Sequence, residues 1–203
     1  MKSNRCIREI YFLMIILLSL MLISSCAIDS TKHRSKNIFD RGNDVNVSSD
    51  AQDDFDKALA LLKSSEYDQA IALLEKIIEK EKRLPAPYVN LGIAYGRKNK
   101  PDKAESILIK AVELEKTHPV ANNELGLIFR KSGRFGEAKS AYENALSGHP
   151  DYLPAIRNLG ILCEIYMRDL ECALTQFEKY QEYRPDDKAI GIWVSDLKRR
   201  LSK

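Results

Sequence analysis

A chain of 203 residues with 44% hydrophobic and 30% charged content can build one globular or repeat domain with tails, and leaves no room for a second large domain. The formal charge of +3 falls to +1 once residues 1–25 are set aside, because they carry Lys2, Arg5, Arg8 and Glu9. So weak a positive balance argues against nucleic acid as a partner.

Three positive charges precede an apolar run from Tyr11 to Ile23, which ends in Ser24-Ser25-Cys26. Charge, then a short apolar core, then small residues is the order of a secretory signal peptide, here over residues 1–25. The run is shorter than the roughly 20 apolar residues of a spanning helix, so a retained anchor helix is the weaker reading. Ile23-Ser24-Ser25-Cys26 resembles the lipobox of bacterial lipoproteins. That resemblance implies cleavage before Cys26, a diacylglycerol on its thiol and acylation of its new amine; the alternative is ordinary secretion with cleavage near Ser25. In lipoproteins an aspartate after the cysteine favours retention at the inner membrane. Ala27 stands there instead, which implies sorting to the outer membrane, facing the periplasm.

Residues 26–53 read as a lipid-anchored flexible tether, because from Ala27 to about Ser49 the chain is polar and without sustained apolar periodicity. As a coil, its roughly 23 residues give an end-to-end distance of about 25–30 Å, enough to hold a folded domain just off a membrane.

From residue 54 the sequence repeats itself. Ala70, Ala104 and Ala138 are spaced by 34 and 34, as are Gly92, Gly126 and Gly160; Ala173 comes one residue late, 35 after Ala138. A period of this size signals stacked supersecondary units. A leucine precedes each glycine at Leu91, Leu125 and Leu159, and Tyr95, Phe129 and Cys163 follow three positions after it. The second half of each unit carries Ala104, Leu108, Ala111, or Ala138, Tyr142, Ala145, or Ala173, Phe177, Tyr180, at spacings of four and three that make a helical stripe.

This pattern resembles the tetratricopeptide repeat over about 54–185. The resemblance implies an all-α fold, a right-handed superhelical stack of helix hairpins, with units at 54–84, 85–118, 119–152 and 153–185. The glycine of each first helix is expected to face the alanine of the second, since helices approach closely only where side chains are small. Turn chemistry marks the same borders. Pro101 suits a helix start, Ser132-Gly133 a stop, and Asp169 can cap the following helix. The extra residue near Met167 to Asp169 is expected to lengthen the last intra-repeat turn without disrupting either helix. The first unit has Ala58 at the glycine position and Lys57 at the leucine, as terminal units often do. Residues 186–203 form an amphipathic capping helix, with Ile190, Trp193, Val194, Leu197 and Leu201 on one side and Lys198, Arg199 and Arg200 near its end, where cations offset the helix dipole.

Four cysteines are present, of which Cys6 would leave with the signal peptide and Cys26 would carry lipid. Cys163 and Cys172 then remain in an oxidising compartment, either joined as a disulfide or both small core residues. No metal-ligand spacing and no cofactor motif occurs. His33 lies in the tether, and His118 and His149 occupy inter-repeat turns, so no convergent catalytic set is expected and the chain reads as a non-enzyme.

Function is therefore expected on the concave surface, which in the repeat family is built mainly by the first helix of each unit. Alignment places there Val89, Asn90, Ile93 and Arg97, then Asn123, Glu124, Leu127 and Arg130, then Arg157, Asn158, Ile161 and Glu164. An amide-lined, partly apolar groove suits a peptide or helix. Asn90 and Asn158 alternatively hold helices together. Carboxylate-clamp repeats use an asparagine where Ile93, Leu127 and Ile161 stand, so capture of chaperone C-termini is not expected. The chain resembles repeat lipoproteins that assemble pilus secretins or scaffold cell-wall hydrolases, and repeat proteins suspected of serving Ton-type transport. All imply a protein-binding adaptor for periplasmic or outer-membrane protein segments, the other reading being a structural subunit that self-associates.

Overall fold

The computed structural model describes residues 48–203, so the expected signal peptide, the expected lipid site at Cys26 and the expected tether up to residue 47 lie outside the described residues. Among the described residues the chain is all-α. The helices are α1 (Ser49–Lys63), α2 (Tyr67–Lys80), α3 (Pro85–Arg97), α4 (Pro101–Leu114), α5 (Pro119–Lys131), α6 (Phe135–Gly148), α7 (Leu153–Ile161), α8 (Leu170–Tyr183) and α9 (Lys188–Leu201). They pair as the hairpins α1/α2, α3/α4, α5/α6 and α7/α8, stacked in series with α9 closing the end.

Helix α1 begins five residues before the expected unit boundary at 54. Ser48 accepts the Ala51 N–H at 3.3 Å, and Ala51, Phe55 and Ala58 make one buried stripe at offsets of four and three. Residues 49–53 thus belong to the first hairpin and not to a tether; with only Ala51 apolar among them, they carry no period of their own.

Prolines at the starts of α3, α4 and α5 occupy positions whose N–H has no intrahelical partner in any case. Asp169 caps α8 by accepting from Cys172 N–H at 2.9 Å, and Asp187 caps α9. His118 caps α5 through Nδ1, which accepts from Ala121 N–H.

The helix contact differs in detail from expectation. Ala70, Ala104, Ala138 and Ala173 are fully buried, yet the glycines face the large residue one turn beyond them. A Cβ on Gly92 would stand 2.5 Å from Leu108, on Gly126 2.4 Å from the Tyr142 ring, and on Gly160 2.6 Å from the Phe177 ring. The alanines let the helix axes approach; the glycines receive a leucine or an aromatic ring.

The turns inside the hairpins hold one residue each at positive φ, Ser65, Asn99, Gly133 and Arg168. The next N–H reaches back five residues in three of them, from Glu66 to Leu61, Lys100 to Tyr95 and Arg134 to Phe129. In the fourth, Asp169 N–H reaches six residues back to Cys163. The extra residue therefore does not lengthen the turn. It is absorbed upstream, where α7 widens into a π-helical segment over Leu162–Met167.

Cys163 and Cys172 form a disulfide that ties this widened segment to the first turn of α8. Helix α9 buries Ile190, Val194 and Leu197, with Trp193 edge-on to Phe177; Leu201, expected on the same face, is exposed, and so is Ile192 on the outer side.

Candidate protein-binding groove

Helices α3, α5 and α7, with the π-helical segment that follows α7 and holds Glu164, carry the twelve residues expected to line the groove, and they divide into groups that do different work. Val89 does not line it. Only 3% exposed, it packs with Tyr88, Leu108 and Leu125, because its place in the 3.6-residue period lies over the neighbouring hairpin.

The asparagines are largely committed. Asn90 donates to the Ala86 carbonyl on its own helix at 2.9 Å. Asn158 donates from Nδ2 to Oδ1 of Asn123 at 2.9 Å, across successive repeats, and Asn123 is only 4% exposed. Asn123 is therefore a strut between first helices more than a free contact. Asn122, equally buried, donates to the Lys116 and His118 carbonyls and fixes the inter-repeat turn.

Beside this strut stands Glu124. Asn123 donates from Nδ2 to Glu124 Oε1 at 3.3 Å. Burial pushes the Glu124 carboxyl above the usual carboxylate range, while the Asn123 amide, Arg97 and Lys131 pull it the other way. Neither cation closes an ion pair with it. The Tyr142 phenol, pushed up to about 12 by burial and by Glu124 against the pull of Arg130, is wholly buried, and its hydroxyl has no hydrogen-bond partner among the described residues. The half-buried Tyr152 is raised by burial and, secondarily, by the same carboxylate.

Ile93, Leu127 and Ile161 are half-buried at matching positions of the three first helices. Arg97 and Arg157 are exposed and unpaired among the described residues. Arg130 lies 5.7 Å from the Tyr166 ring, and Glu164 is held by Arg200 of α9 at 2.8 Å, which closes the C-terminal end of the groove. The basic end of α9 thus pairs with carboxylates, Arg200 with Glu164 and Lys198 with Glu178, beyond offsetting the helix dipole.

Tyr142 and Arg200 are legible from the sequence only as a core-stripe residue and a helix-end cation, and Tyr152 not at all, because their proximity to Glu124 and Glu164 comes from neighbouring helices. Sequence reasoning missed the exposed Ile165-Tyr166-Met167 ledge on the π-helical segment, where Tyr166 meets Phe135 at 5.0 Å between ring centres. The 35-residue step was its signal. Among the described residues no group of three or more His, Cys, Asp or Glu converges as metal ligands, and no helix is long and apolar enough to cross a membrane.

Two stretches of the chain, 61–122 and 120–147, match the tetratricopeptide repeat family. No curated protein matches the sequence. Among solved structures, PilF of Pseudomonas aeruginosa superposes with a TM-score of 0.66 at 19% identity, covering 75% of this chain and 69% of that one. MamA from residue 41 of Desulfovibrio magneticus RS-1 gives 0.64 at 19% identity, over 76% of this chain and 87% of that one. The first repeat domain of Spaghetti (RPAP3), solved with an HSP90 peptide, gives 0.54 at 27% identity, over 59% of this chain and 96% of that one. With four stacked hairpins and two matches to tetratricopeptide repeats between residues 61 and 147, the described chain has the tetratricopeptide fold, an all-α stack of helix hairpins closed by a single C-terminal helix.

Proposed function

We propose that this protein is a non-enzymatic adaptor, held by acyl chains on Cys26 to the periplasmic face of an outer membrane, that binds a segment of an envelope protein in its concave groove. The observation that carries the groove reading is the pairing, on three successive first helices, of half-buried Ile93, Leu127 and Ile161 with the unpaired guanidinium groups of Arg97 and Arg157. Aliphatic rungs with charged groups beside them are what an amphipathic or extended segment needs. Repeat proteins of the same fold have been solved with protein ligands, Spaghetti with an HSP90 peptide and Naa15/Naa10 with HypK-THB. The membrane anchor is supported by the order of charge, apolar run and Ile23-Ser24-Ser25-Cys26.

Two variants of the full chain test the two halves of this reading. Cys26→Ser should be exported but lost from the membrane fraction after washing, and firm retention would remove the lipid anchor. Leu127→Ala with Arg157→Ala should weaken capture of the proteins that the wild type retrieves from solubilised envelopes. Lys139→Ala with Glu143→Ala, which breaks an exposed pair on α6, should not. The reverse result would move binding to the outer face.

A further inference from the structure

Resting on that groove reading, we infer that the middle of the groove receives a lysine or arginine side chain of the bound segment, with Glu124 as its counter-ion.

The hydrogen bonds at this point run in one direction. Asn158 donates to Asn123, and Asn123 donates to Glu124 Oε1, so the chain of amides ends on the carboxylate. The other Glu124 oxygen and the Oδ1 of Asn158 accept from no donor among the described residues. The groove centre thus offers acceptors and asks for a donor.

Charge says the same. Glu124 is half-buried on α5, and no Lys, Arg or His of the described residues lies within ion-pair distance, although Arg97 and Lys131 are near enough to act on it. Taking a carboxylate out of water without a paired cation costs free energy that a partner's cation would recover. The half-buried Tyr152 sits within reach of its field, and an aromatic ring beside a carboxylate suits an ammonium or guanidinium with an aliphatic stem.

The flanks add a pattern. Arg97 stands one repeat before Glu124 and Arg157 one repeat after it, both unpaired among the described residues. Packed helices lie about 8–10 Å apart, which is about three residues of extended chain. By the 34-residue register Arg157 stands nearly level with Glu124, whereas Arg97 aligns with Lys131, two turns further along the helix, so the complementary segment carries a cation with a carboxylate about three positions away on the Arg157 side.

The test pans a random twelve-residue peptide library displayed on phage against the full-length protein in detergent. Recovered peptides should share a Lys or Arg with Asp or Glu near three positions away. A synthetic copy of the tightest should lose about tenfold in affinity on Glu124→Gln, which keeps the volume and the acceptor for Asn123, and no further when its own cation is also replaced by glutamine. A peptide weakened by Leu127→Ala with Arg157→Ala but indifferent to Glu124→Gln would overturn the counter-ion while leaving the groove standing. Peptides indifferent to every groove variant, or no enrichment over a blank surface, would overturn both. Circular dichroism melts confirm that each variant is folded.

Discussion

Asn158 Nδ2 donates to Asn123 Oδ1 at 2.9 Å, 35 residues away and on the first helix of the preceding repeat. Since Asn123 is almost wholly buried, this bond joins two repeats where water cannot substitute for a lost partner. Asn158→Ala should cost about 1–3 kcal/mol, the penalty of a buried carbonyl left unpaired. Asn90→Ala, at the equivalent position but bonded only to its own helix, should cost under about 1 kcal/mol. Urea unfolding of the two variants measures the difference, and equal costs would mean that the inter-repeat amide bond is not a strut.

Gly126 and Tyr142 make the tightest of the glycine contacts. Gly126→Ala should destabilise by about 1–3 kcal/mol, because its methyl would meet a ring that is itself enclosed. Gly136→Ala, with open space at its Cβ on α6, should instead gain up to about 1 kcal/mol of helix propensity. Tyr142→Phe should be neutral or mildly stabilising, since the hydroxyl it removes has no partner. Thermal melts of the three report on the register of α5 against α6. A tolerated Gly126→Ala would show that register to be wrong.

The disulfide between Cys163 and Cys172 closes a short loop across the widened segment and the last intra-repeat turn. Chain-entropy arguments put its contribution at about 2–3 kcal/mol for a loop of this size. Cys163→Ala with Cys172→Ala should lower the unfolding midpoint accordingly and speed amide exchange over Leu162–Met167. Exchange in α1 to α4 should stay unchanged, because repeat stability is carried by neighbouring units. Loss of protection spread evenly over the whole stack would contradict this.

Most of the architecture was legible in the residues themselves, because repetition writes the same packing problem several times. Small residues at a period of 34, with Leu, Tyr or Phe one turn away, have one physical solution in stacked helix hairpins, and Pro101, Gly133 and Asp169 punctuate them as turn and cap chemistry requires. Three things needed the tertiary structure. One was the boundary at Ser49, since the first turn of α1 has too few apolar residues to show a period until Phe55 and Ala58 complete its stripe. Another was the fate of the extra residue before Asp169. Its insertion is visible in the 35-residue step, but whether a loop or a helix absorbs it depends on keeping Arg168 in the turn position of Ser65, Asn99 and Gly133. The groove was the third. Helical spacing tells which residues share a face, whereas burial of Val89, the bond from Asn158 to Asn123 and the isolation of Glu124 depend on how far one repeat rotates over the next. That rotation is set by the packing between hairpins, where Tyr88, Val89 and Leu108 of one cluster with Ala121, Leu125 and Ala141 of the next, a contact that no single stretch of sequence contains.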